Sequence, residues 1–330
     1  MKQAKPIRTP LWEKTKQEKR KTRLIRLVIL AIFAIIIVNL AIKLPGIYRD
    51  LNNPFPRFPG ETQKTSDLDF SFRTNVLLVS YEKNRLVDLG IATYEPVDKK
   101  TTVILIDLPS NKPIRLTTNK IFRSGGIDYL SAYISNSTGV ILDRYIAISD
   151  PSVYFTPENV QKIHSDLNNF LAVFQFFTFK AHLNKVLKTD LTTPKLINLA
   201  MKFRNSRFEK KDAISLEDQG IQDLANNLFL DRKIVEEGAA VTIRNSSEQP
   251  MIGRVLENYL NNLGVTVVSV ESGDASEKSI LIVKNKKPQI EKRLESIIKV
   301  QKRGLGKDDA FSGDLLIIIG KEAASKLTLP

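Results

Sequence analysis

The sequence predicts an α/β protein in three parts: an N-terminal transmembrane helix, a mixed-sheet α/β domain, and a C-terminal ferredoxin-like α/β sandwich. Three observations carry this. A run without charge extends from Leu27 to Ile42. From Thr74 onward, short β-branched runs alternate with stretches of helical periodicity. The segment 220–330 shows the order β-α-β-β-α-β, the split ferredoxin-like pattern.

Twelve residues between Leu27 and Ile42 are Leu, Ile, Val or Phe. On an insertion scale they favour the bilayer by about 4 to 7 kcal/mol. Residues 24–43 are long enough to span, with Arg26 and Lys43 placed to reach the headgroups. A cleaved signal peptide would need a small-x-small site, and Ala41-Ile42-Lys43 is not one. Residues 1–26 carry ten Lys or Arg against Glu13 and Glu18. This excess holds the tail (1–23) in the cytoplasm and puts the chain from about residue 44 outside, on the far side of the cell membrane. Residues 1–26 supply +8 of the formal charge of +14, so the basic balance reads as a topology signal and no nucleic-acid partner is expected. Cysteine is absent, which excludes a disulfide framework and a thiol nucleophile. With only His164 and His182, no histidine metal site is expected.

Residues 44–73, with Pro45, Pro54, Pro56 and Pro59, read as an extended linker. The first domain, 74–211, opens with strands at 75–80, 88–94 and 101–108, the last two joined by a polar hairpin at 95–100. Gly125-Gly126 precedes a helical pattern through Tyr129, Ala132 and Tyr133, and 140–148 is a further strand. Thr156-Pro157 and Thr193-Pro194 start helices, with Thr as cap and Pro at the first turn. Between these two helices lies an aromatic patch, Phe170 to Phe179. The polar stretch 205–211 closes the domain. In the last domain, 220–330, a short helix at 221–229 leads to a strand at 239–243. Ile252, Val255, Leu256, Tyr259, Leu260 and Leu263 then mark a helix that Gly264 stops. Strands at 265–270 and 279–283, a helix at 288–300 and a strand at 315–319 complete it.

Val241-Thr-Ile-Arg-Asn245, Tyr259-Leu-Asn-Asn-Leu-Gly264 and Leu315-Ile-Ile-Ile-Gly320 resemble the C-terminal domain of LytR/CpsA-type envelope proteins. Residues 74–204 resemble a reduced LytR-CpsA-Psr domain, through Asn75-Val-Leu-Leu-Val79, Asp88, Val103-Ile-Leu-Ile-Asp-Leu-Pro109, Lys120-Ile121, Gly125-Gly126, Thr138-Gly139-Val140, Asp143, Tyr145 and Leu187-Lys-Thr-Asp-Leu191. The resemblance implies a membrane-anchored phosphotransferase that moves glycopolymer from a polyprenyl-pyrophosphate carrier to the cell wall, with Mg2+ at the pyrophosphate. Three departures bear on this. The family's acidic-and-arginine signature after the first strand is replaced by Val79-Ser-Tyr-Glu-Lys-Asn-Arg85, and its later arginine-rich segment has no clear counterpart between Asp150 and Leu187. Its Pro-Arg-Asp after the third strand is here Pro109-Ser110-Asn111. Serine and asparagine cannot supply the bidentate fork that arginine offers a phosphate.

The resemblance makes Asp88 a catalytic candidate, as cation ligand or base; a strand-entry aspartate in a turn is the plainer reading. Arg85, Arg115 and Arg123 are the cations placed to compensate from nearby loops. Phe170, Phe174 and Phe177 would line a lipid-binding groove or form ordinary core. Asn245, Ser246 and Ser247 could hold an anion on backbone N–H groups or cap a helix. The basic runs 202–211 and 284–303 read as solvated faces. These observations favour a binding or scaffolding protein of the cell envelope, with an active glycopolymer phosphotransferase as the alternative. The expected partners are the membrane, wall glycopolymer or its lipid-linked precursor, and an envelope protein. No cofactor is expected, except Mg2+ in the enzyme alternative.

Overall fold

The computed structural model describes residues 54–61, 68–108, 113–167, 183–216, 228–298, 300–307 and 309–327. The expected transmembrane span, the aromatic patch at 170–179, residues 221–227 of the short helix expected at 221–229, His182 and Pro109-Ser110-Asn111 lie outside them. Among the described residues no helix is long and apolar enough to cross a membrane. The architecture is mixed α/β with two mixed sheets.

The first sheet has six strands: β1 (Thr74–Glu82), β2 (Arg85–Glu95), β3 (Lys100–Asp107), β4 (Arg144–Ile148), β5 (Leu187–Thr189) and β6 (Arg207–Ser215), in the order β5-β4-β1-β2-β3-β6. Its helices are α1 (Pro113–Thr138), α2 (Pro157–Leu167) and α3 (Thr193–Arg204). Strand alternation sends successive side chains to opposite faces. Leu77 and Val79 therefore join Phe122, Ile127, Leu130 and Ile134 of α1 in one core. Val76 and Leu78 face the other way and pack with Val160 and Leu199, on α2 and α3.

Three features differ from the sequence expectation. Helix α1 begins at Pro113, well before Gly125-Gly126, and Gly126 kinks it (φ 69°, ψ −151°), a conformation open in practice only to glycine. The segment 205–211, read as a polar closure, begins β6, an edge strand parallel to β3. Its alternating charges are tied down as Lys100 and Lys211 both pair with Glu209. Residues 54–61 have no regular structure, as the prolines suggest, yet Phe55 and Phe58 are buried. Phe58 sits among Tyr81, Phe122 and Tyr145, with ring centroids 5.4 to 5.9 Å away.

The second sheet contains β7 (Ala240–Asn245), β8 (Thr266–Ser272), β9 (Ser279–Val283), β10 (Val300–Gly304) and β11 (Leu315–Ile319), ordered β10-β9-β11-β7-β8. Helices α4 (Arg232–Glu237), α5 (Ile252–Leu263), α6 (Pro288–Ile297) and α7 (Lys321–Leu327) accompany it. This corrects the ferredoxin-like expectation. A split βαβ unit requires another strand between its parallel pair, but β7 and β8 are direct parallel neighbours, as are β9 and β10. The helix expected at 288–300 stops early because Ile298 is already extended (φ −129°, ψ 142°). The chain then enters β10, whose exposed Gln, Lys and Arg suit an edge strand.

The two sheets share a polar seam. Arg293 of α6 pairs with Asp143 at 2.9 Å, both nearly buried. Asn262 donates to the Gly139 carbonyl at 2.7 Å, and the Tyr259 hydroxyl donates to Asn136 at 2.7 Å. Buried Arg73 pairs with Glu95 at 2.7 Å and donates to the carbonyls of Leu228 and Leu230. Asp143 therefore has a structural partner of its own.

Candidate functional site: a cationic pocket between α1 and the β1–β2 hairpin

Strands β1 and β2 are joined by a two-residue turn, Lys83-Asn84, with φ of 44° and 64°. Positive φ at both positions matches the right-handed twist of the flanking strands, and Asn tolerates it well. Arg85 is the first residue out of the turn. The pairing then slips: Tyr81 faces Leu86 and Ser80 faces Asp88, so Val87 is an extra, bulged residue. Bulges bend a strand and re-aim its side chains. This one lies between Arg85 and Asp88.

Across from the hairpin, Arg115, Asn119 and Arg123 recur every four residues along α1, with Leu116, Lys120 and Ser124 in the adjoining row. Such rows lie on one helical face. Together with Arg85 they line a pocket of about 470 Å³. Among the described residues, four cations border it and no acidic residue does. Leu116, 73% exposed, adds an apolar wall. Arg115 is anchored through Nη1 to the Leu108 carbonyl at 2.9 Å. Asp88 is half-buried, and its Oδ2 has no hydrogen-bond partner. Burial lifts its carboxyl above the ordinary range, against the pull of Arg115 and a hydrogen bond with Ser80.

The structure thus brings Arg85, Arg115 and Arg123 to one pocket and puts Asp88 within electrostatic reach of Arg115. Two of these arginines come from a helix rather than from loops. Lys120 and Asn119 were not among the candidates; their four-residue spacing from Arg115, Leu116 and Arg123 is the signal that identifies them. Phe170, Phe174 and Phe177 lie outside the described residues.

The Asn245-Ser246-Ser247 loop does not offer the donors an anion needs. The Ser246 N–H donates to the Ile319 carbonyl at 2.9 Å, and the Ser247 N–H and hydroxyl both donate to Asn245 Oδ1. Asn245 Nδ2 in turn donates to the Gln249 carbonyl at 2.8 Å. A side chain that mimics a backbone turn satisfies this loop from within. His164 stacks on Phe208 with centroids 4.3 Å apart. Among the described residues no group of three or more His, Asp or Glu side chains could hold a metal ion.

Fold and pocket define a two-sheet α/β protein with a cationic pocket. No protein-family model and no curated protein matches the chain. Part of it is similar in structure to solved LytR-CpsA-Psr proteins. Bacillus subtilis TagT aligns at 12% identity over 52% of this chain and 96% of its own, with a TM-score of 0.33. Bacillus subtilis TagU aligns at 13% identity over 46% and 93%, also at 0.33. YwtF (TagT) with bound octaprenyl pyrophosphate lipid aligns at 12% identity over 52% and 95%, again at 0.33. At these values no residue role is carried over.

Proposed function

We propose that this is a single-pass protein of the cell membrane, with its N-terminus cytoplasmic and its bulk extracytoplasmic. It holds the pyrophosphate of a lipid-linked wall-glycopolymer precursor in the α1–hairpin pocket. The observation that carries the reading is the convergence of Arg85, Arg115, Lys120 and Arg123 on one pocket that has no acidic lining residue among the described ones. Guanidinium groups meet phosphate oxygens as planar bidentate forks. Arginine at three of the four positions suits a polyanion better than lysine would. Exposed Leu116 on the same wall suits an amphiphile whose charged head continues into an apolar chain. The sequence resemblance supplies the ligand class, and the charge-free run at 27–42 with its basic tail supplies the topology.

Binding alone accounts for the four cations. Asp88 supports a second reading, transfer of the glycopolymer to a wall acceptor whose hydroxyl displaces the polyprenyl phosphate. A carboxylate with an unpartnered oxygen and a raised pKa is suited to take the hydroxyl proton. It also fits as a single protein ligand for Mg2+, which is commonly held by one or two carboxylates together with substrate phosphates. Full-length protein in detergent micelles, loaded with a polyprenyl-pyrophosphate disaccharide and given a wall acceptor, separates the two. Retention without release supports the binding protein. Release of polyprenyl phosphate that Asp88→Ala abolishes supports the transferase.

A further inference from the structure

Leu86, opposite Tyr81 beside the hairpin turn, is buried, and β3 pairs with β2 only from Leu89 onward, so a side chain meets the Leu86 N–H. Asn119 Oδ1 accepts from the Leu86 N–H at 2.8 Å. The same amide donates through Nδ2 to the Arg115 carbonyl at 2.9 Å. Asn119 is 9% exposed and lies at the floor of the cationic pocket. A single buried side chain therefore ties the residue after Arg85 to the helical turn that carries Arg115. The hairpin presents Arg85 and the helix presents Arg115 and Arg123. Two elements that meet only by packing would let these cations drift apart, whereas phosphate recognition needs them held to within about half an ångström.

We infer that Asn119 is a positioning residue of the pocket, fixing the bulged strand so that Arg85 and the α1 arginines address one anion together. This rests on the pocket reading given above. Asn119 acts through its neighbours, because both of its bonded amide atoms face the protein backbone. The role predicts coupling to Arg85 in particular: removing Asn119 matters because it releases Arg85.

The test is a double-mutant cycle on the full-length protein in detergent micelles, titrated with inorganic pyrophosphate. Asn119→Ala is expected to weaken binding about tenfold, the scale of one buried hydrogen bond. In an Arg85→Ala background the same substitution is expected to cost less than about twofold. A loss of equal size in both backgrounds overturns the inference, since it marks a general structural role. An unchanged affinity also overturns it. Wild-type protein that does not bind pyrophosphate at all overturns the pocket reading and this inference with it. Should Asn119→Ala fail to fold, Asn119→Ser is read by the same cycle, and its melting temperature is checked first.

Discussion

The seam between the two sheets gives a sharp stability prediction. Arg293 Nη1 donates to Asp143 Oδ1 at 2.9 Å and Nη2 to Oδ2 at 3.4 Å, with side-chain exposures of 5% and 11%. Two unit charges about 3 Å apart attract by roughly 5 kcal/mol at an effective dielectric near 20, and desolvation offsets much of this. Arg293→Met removes the attraction and leaves the carboxylate buried. Breaking such a pair costs about 3 to 5 kcal/mol. Asp143 Oδ2 still accepts the Asn75 N–H at 2.8 Å, so the expected loss is at the lower end, about 3 kcal/mol. Urea denaturation of the full chain in micelles, followed by circular dichroism, measures it. Arg232→Ala is the control, because its 2.8 Å pair with Asp98 is over half exposed on the arginine side. It should cost less than about 1 kcal/mol. Pairing Arg293→Met with Asp143→Asn should recover a good part of the loss, since Asn keeps an acceptor for Asn75 without the charge. A loss for Arg293→Met no larger than the control's would refute a buried ionic seam.

Other outcomes follow from the same geometry. Phe58→Ala should destabilise the protein by about 3 to 5 kcal/mol in the same denaturation experiment, because it empties the space among Tyr81, Phe122 and Tyr145. A loss near zero would mean that residues 54–61 are not docked. Gly126→Ala should cost about 1 to 3 kcal/mol from backbone strain alone, since an added Cβ would meet nothing within 4 Å; an unchanged midpoint argues against the kink. Asp88→Asn tests the raised carboxyl pKa. A group whose pKa is raised by folding stabilises fully below its unfolded value, and that contribution is lost as pH rises through the folded value. Wild type should therefore lose stability relative to Asp88→Asn as pH climbs above the ordinary aspartate range. A difference that does not vary with pH would contradict the burial assigned to this carboxylate.

Legibility in the sequence followed burial. Strands β9 and β11 were read at their observed limits because continuous apolar runs, Ser279–Val283 and Leu315–Ile319, have no competing period. Strands β6 and β10 were missed because both are edge strands dense in charge, where apolar alternation disappears. The first half of α1 was missed because its cations face the pocket and dilute the apolar stripe. The Arg293–Asp143 pair joins residues 150 apart, and no local pattern announces such a contact. In the pocket, the three arginines are legible as cations near the strands that could reach a phosphate. Asn119 is not legible because its partner, the Leu86 N–H, lies 33 residues away and faces α1 only in the folded hairpin.

The most direct measurement is calorimetric titration of inorganic pyrophosphate into the full-length protein, wild type beside Arg115→Ala and Arg85→Ala/Arg123→Ala. The cationic pocket predicts saturable binding that weakens with added salt. Arg115→Ala should weaken it at least about tenfold, the scale of one lost charge-assisted hydrogen bond, and the double variant further still. Binding that all three proteins share equally, or no binding by the wild type, would contradict it.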